Sequence, residues 1–215
     1  MTGVREANRA KTTAEILRIA RREIAEHGGG GLSMRAVARE VGMVSSAVYR
    51  YFPTREALLT AMIIESYGNL AAALGEVRAK RPDHRWRDLA HAMRDWARAN
   101  PNEFQLIYGT PIPGYVAPPE TVPSAAAAVR PFLEVGAKRA VEPFGGRDLT
   151  AQMSVMNDAA PGSDPSGSAA VIAELGAFVG LLTLELAGHL VGSADPADHL
   201  WNALLTRQLT TLNLA

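Results

Sequence analysis

Between Val41 and Leu59 the chain reads VGMVSSAVYRYFPTREALL. Ser45 and Ser46 carry short hydroxyls, Ala47 carries almost nothing, and Tyr49, Arg50 and Tyr51 follow at once. Hydroxyl and guanidinium groups bond phosphate oxygens and base edges, while small side chains let a helix lie flat against another polymer. Val48 and Phe52, four positions apart, would hold such a helix against its own core.

The neighbouring elements must position that set. Ile16, Leu17, Ala20 and Ile24 form the apolar face of a first helix over about 9–27. The run GGGG at 28–31 follows a helix and precedes no lysine, so it reads as a helix stop and hinge, not a phosphate loop. Ser33 caps a short second helix, MRAVAREV, whose inner face is Met34, Val37, Ala38 and Val41. Gly42 supplies the turn, and the third helix runs from about Ser45 to Tyr51, ahead of Pro53. Thr54 caps a fourth helix that continues toward Lys80. A helix, a tight turn and a short second helix, framed by a third, is the helix-turn-helix arrangement for DNA.

Charge agrees with one end meeting a polyanion. Residues 1–55 hold 10 Lys/Arg and 5 Asp/Glu, whereas the rest hold 12 and 17, although the net charge is zero. The 215 residues are 47% hydrophobic and 20% charged, as in an ordinary globular chain. With no cysteine, disulfides and thiolate metal sites are excluded, and His91 and His189 lack metal-ligand spacing. Neither GxSxG nor HExxH nor a P-loop lysine occurs, which disfavours the alternative of a small helical enzyme. The polar, basic start lacks a signal-peptide core, and Glu174, Glu185 and His189 interrupt the longest apolar stretch. These features predict a cytoplasmic protein with no membrane partner.

Helical spacing persists to the end, so the expected fold is all-α. Segment 110–123 holds five prolines and should be extended; PGSDPSGS at 161–168 reads as a mobile polar linker. Long helices are expected over about 169–191 and 196–212, apolar on faces too broad for one partner. Their small residues permit close helix approach, which predicts a four-helix dimer interface through Leu175, Leu182, Leu186, Leu190, Trp201, Leu204 and Leu205, the alternative being that this surface is internal core. Trp96, Phe104, Tyr108, Met153 and Phe178 are candidate linings of a pocket for a hydrophobic small molecule.

LSMRAVAREVGMVSSAVYRYFPTREALL resembles the signature of the TetR (tetracycline-repressor) family of bacterial transcriptional regulators. The matching register is Ala38, Gly42, Val48–Tyr49, Tyr51–Phe52 and Thr54 through Leu58, within a likeness spanning about residues 12–63. Departures are Val44 where the family opens its recognition helix with Ser or Thr, a cap role that would pass to Ser45, and Arg55 in place of the usual lysine.

The resemblance implies a DNA-binding domain over 1–55, a connecting helix over 54–80, and an effector-binding and dimerisation domain over 56–215. It implies a homodimeric repressor released from a near-palindromic operator by a small effector, or a DNA-binding regulator without one; no cofactor is expected. Carried over by position, Ser45, Ser46, Ala47 and Arg50 would face bases; Tyr49, Tyr51 and Arg55 would face the backbone, and Arg35 either. Segments 94–115 and 181–190 further resemble a subgroup with a Trp-His-Gly signature, here reduced to Gly180, with Leu175 and Val179 at the other two positions.

Overall fold

A computed structural model describes residues 2–215, and every regular element among them is helical. The α-helices are α1 (Thr2–Gly31), α2 (Met34–Val41), α3 (Ser45–Val48), α4 (Arg55–Gly75), α5 (Pro82–Ala99), α6 (Pro101–Tyr108), α7 (Val122–Gly136), α8 (Arg147–Met153), α9 (Met156–Ala159), α10 (Pro165–Leu186) and α11 (Asp198–Thr211). Short 3-10 turns occur at Pro119–Thr121 and Glu142–Phe144.

Two compact units result. The first joins the residues up to Ser66 with Asn102–Val122, and the second joins Tyr67–Pro101 with Pro123–Ala215. The expected boundary at 55/56 is therefore displaced: the division falls inside α4, and a later segment returns to the first unit. The cause is apolar packing. Leu106, Ile112 and Tyr115 lie against the core made by α1 to α4, and the Tyr115 and Thr60 hydroxyls are 3.0 Å apart.

That core holds Ile16, Ile19 and Ala20 from α1, Val37 and Ala38 from α2, Val48 and Phe52 around α3, and Leu58, Leu59 and Met62 from α4. Each buried large aliphatic side chain contributes about 1.5–3 kcal/mol. The α1 backbone breaks at Gly28, whose φ of 72° suits glycine, and helical hydrogen bonding resumes through Gly31. Gly29 is needed for another reason: a Cβ there would come 2.7 Å from Ile112 Cγ1.

The second unit is organised around α10, which packs on α5, α8, α9 and α11. The expected mobile linker at 161–168 is instead an ordered helix start. Asp164 accepts hydrogen bonds from the Ser166 and Gly167 amides at 2.9 and 3.1 Å, Pro165 opens the helix, and Ser166, Gly167 and Ser168 are buried. The Ser166 hydroxyl and both amides hold the Asp164 carboxyl below its ordinary value.

Aromatic rings fill the centre. Trp86 meets Phe132 edge-on at 5.4 Å, and Phe178 stacks on Trp201 at 5.1 Å. Trp86 Nε1 donates to Gln208 Oε1 at 3.0 Å, and Gln208 Nε2 donates to the Glu174 carbonyl at 3.1 Å, whereas Trp201 Nε1 and Ser168 Oγ are buried without a hydrogen-bond partner. Arg94, 4% exposed, donates to both Glu185 and Asp198 and lies 5.1 Å from the Trp201 ring centre.

By length and hydropathy α4 and α10 could each cross a bilayer. Leu58, Leu59 and Met62 of α4, and Phe178, Leu181 and Leu182 of α10, are instead consumed by protein packing.

Candidate nucleic-acid interface

Short-range hydrogen bonds build the α2–α3 corner. Ser33 Oγ accepts from the Ala36 amide at 3.3 Å, starting α2 as its sequence predicts. At the other end Gly42 takes the left-handed conformation, φ 75°, and its amide and that of Met43 close onto the Arg39 and Ala38 carbonyls.

Only Ser45–Val48 form a regular α3, and its N-cap is Val44, with no side-chain cap; Ser45 does not take over the role expected of it. The turn continues, because the Arg50, Tyr51 and Phe52 amides donate to Ala47, Val48 and Val48. Residues 45–52 thus form one short, continuous element. So few helical bonds could not hold it in water, so its persistence depends on tertiary anchors. Val48 is fully buried and Phe52 is 7% exposed.

With the anchors behind it, the element presents the expected groups outward. Ser46, Tyr49 and Arg50 are exposed, while Ser45, Ala47 and Tyr51 are half-buried along its edges. Tyr49 stands 45% exposed. Arg35 is exposed on α2.

Arg55 is the exception. Its guanidinium donates to the carbonyls of Gly29 at 2.6 Å, Gly30 at 3.2 Å and Leu32 at 3.2 Å. The expected backbone contact is thus in competition with an internal one. Arginine's fork gathers the carbonyls orphaned at the end of α1, which a lysine's single ammonium would match poorly.

In the second unit the interface expectation needs correction. Leu182, Trp201 and Leu205 are fully buried inside the chain and face its own core. Leu175, Leu186, Leu190 and Leu204 are half-buried. The exposed side of α10 is instead Ile172, Gly176, Gly180 and Leu184, spaced by four, with Leu200 exposed on α11. Sequence could not separate these sides, because α10 is apolar nearly all round.

The five pocket candidates are divided. Phe104 and Tyr108 pair in the first unit with ring centres 5.4 Å apart, and Trp96, Met153 and Phe178 belong to the second. Phe178 is core, stacked within the aromatic cluster, and so lines no pocket. A cavity of about 690 Å³ in the second unit lies elsewhere, bordered by Lys80, Arg81, Arg85, Val135, Lys138 and Leu214 among others, and by none of the five. No group of three metal-ligating side chains is brought together among the described residues.

Comparison with known proteins decides what this corner belongs to. Residues 16–62 match the bacterial regulatory proteins of the tetR family, and residues 86–208 match the tetracyclin repressor-like C-terminal domain. The chain belongs to the TetR family.

The HTH-type transcriptional regulator Rv1816 of Mycobacterium tuberculosis is 42% identical over 131 residues, which cover 59% of this chain. The chain spans 56% of the length of that relative and of its Mycobacterium bovis counterpart. The crystal structure of the regulatory protein SCO4313 is 30% identical, with a TM-score of 0.81 over 95% of this chain and 98% of that one. Another structure, 26% identical with a TM-score of 0.54 over 94% and 97%, concerns the control of antibiotic production by bacterial hormones. Family and relatives alike describe a transcriptional regulator, not an enzyme, and the TetR helix-turn-helix match contains all of α2 and α3.

Proposed function

We propose that this TetR-family regulator is a cytoplasmic homodimer that represses transcription by placing two copies of α3 in successive major grooves of a near-palindromic operator. A small hydrophobic effector then favours a state whose paired helices no longer match the groove spacing. The observation that carries the DNA-binding part is the two-sided α3 element: Val48 and Phe52 sealed inward, Ser46, Tyr49 and Arg50 outward.

Support for the dimer is the exposed Ile172–Gly176–Gly180–Leu184 row, where side chains on the glycines would meet nothing of this chain. Two such rows can approach closely, with Leu200 and half-buried Leu204 flanking them. Support for the effector is indirect: a structurally similar protein concerns the control of antibiotic production by bacterial hormones. The C-terminal family match is to repressor-like domains, which favours repression.

The test is gel retardation with the DNA upstream of the protein's own gene at two salt concentrations, followed by release with compounds that raise the melting temperature. Arg50→Ala should cost about 1–3 kcal/mol of operator binding while leaving the circular-dichroism melt unchanged. No retardation at low salt would remove the proposal.

A further inference from the structure

The apolar stripe of α1 enters the core only at Ile16, yet the helix runs from Thr2. Over Gly3–Lys11 every residue is exposed. Such turns add nothing to the core, so core packing does not account for their composition. Following the inward stripe back from Ile16 through Thr12 and Thr13 leads to Arg9 and Arg5, each about one turn further out. The face that is apolar inside the core becomes guanidinium-bearing beyond it.

Arg9 is also placed. Its guanidinium carbon lies 5.1 Å from the ring centre of Tyr51, the last tyrosine of the α3 element. An arginine packed over an aromatic face loses rotamer freedom but keeps the N–H groups on its rim. Among the described residues Arg9 has no ion-pair partner. The nearby carboxylates are engaged elsewhere: Glu15 pairs with Arg18 at 2.6 Å, and Glu65 with Arg21 at 2.8 Å. Glu6, its neighbour on α1, is exposed and lies beyond ion-pair distance. A guanidinium stacked on a tyrosine and outside any ion pair, beside the DNA-facing element, suits one ligand group above others, a phosphate oxygen.

We propose that the exposed first turns of α1 are a second DNA-backbone contact, in which Arg9, stacked on Tyr51, binds a phosphate flanking the base pairs met by α3, and Arg5 extends the basic face one turn further. The inference rests on α3 facing DNA. The contact adds affinity without sequence preference and places the end of α3 in register.

Full-length protein and a fluorescent operator duplex test it through the slope of log Kobs against log salt. Each phosphate contact adds about 0.9 to the magnitude of that slope. Arg9→Ala should make it shallower by about 0.9 per bound protomer, weakening operator and unrelated duplex alike, with an unchanged melt. Arg9→Lys, which keeps the charge but not the stacked plane, should restore most of the slope. Arg50→Ala serves as the control for the α3 reading.

If Arg9→Ala keeps the wild-type slope while Arg50→Ala loses affinity, the α1 contact is overturned and the α3 reading stands. A lower melt for Arg9→Ala with an unchanged slope overturns the α1 contact as well, since Arg9 would then only brace Tyr51. If the wild type shows no salt-dependent binding, both fall.

Discussion

The short α3 element and the long α10 helix solve opposite problems. Residues 45–52 have too few backbone bonds and no side-chain cap to persist alone, so Val48 and Phe52 hold them from behind. Helix α10 has 22 residues, an Asp164 cap and Pro165 at its start, and is set by its own length and packing. In the first case the anchors are internal, and Ser46, Tyr49 and Arg50 remain exposed. In the second, one side meets the chain's core while another apolar side is left exposed. Under the proposed function, the first region works through the groups that face out, and the second through the apolar side that has no partner within the chain.

The largest effect should come from the side of α10 and α11 that the sequence alone would give to an interface. Trp201 is fully buried, stacked on Phe178 and lying under the Arg94 guanidinium. Trp201→Ala should cost about 3–5 kcal/mol of stability, read by chemical denaturation. If it instead left stability intact and only dissociated a dimer, the assignment of that side to the core would fail.

Next comes the ionic end of α10. Burial opposes ionisation of Glu185, but hydrogen bonds and charge from Arg94 and Arg98 outweigh it and hold its carboxyl below the ordinary value. Its folded pKa is thus lower than its unfolded one. The stabilisation is complete above the ordinary carboxylate range and is lost as pH falls through the folded value. Glu185→Gln should therefore lower stability at pH 7 by about 1–3 kcal/mol, and the gap from wild type should shrink on acidification. A gap that stays constant with pH would contradict a charge-based contribution.

The reading frame of α2 and α3 was legible because its devices are local. Ser33 and Gly42 act within three or four residues, and Val48 and Phe52 sit one turn apart. Arg55 was not legible in the same way, since its partners Gly29, Gly30 and Leu32 lie more than twenty residues earlier, and only folding brings those carbonyls together. The return of 102–122 to the first unit was hidden for a similar reason: Ile112 and Tyr115 sit in a proline-rich loop with no periodic pattern. At 161–168 the composition resembled a linker, yet small polar residues before a long helix are also what a buried, capped helix start requires. On α10 the apolar positions were correctly located, but a helix apolar nearly all round gives no signal for which side meets which partner.

That capped start gives a smaller effect. Asp164→Ala removes the acceptor for two amides at the head of α10 and should cost about 1 kcal/mol. The Ser166 hydroxyl, first among the groups that depress the Asp164 carboxyl, keeps its other bond to the Val141 amide. An effect much above this would mean the helix start carries more of the second unit's stability than one cap supplies.

The smallest expected change sharpens the comparison most, because its sign depends on what covers α10. A methyl group added at Gly180 meets nothing within 4 Å in this chain. For an isolated chain, Gly180→Ala should stabilise the helix by up to about 1 kcal/mol, since glycine is the poorer helix former. If a second copy packs on the Ile172–Gly176–Gly180–Leu184 row, the same methyl group separates the two helices and weakens their association. Sedimentation across a concentration series, together with denaturation at one dilute concentration, reads the two effects separately. The expected result is a more stable monomer and a weaker dimer. A gain in stability with unchanged association would move the dimer contact off this row and leave α10's exposed apolar side without its proposed role.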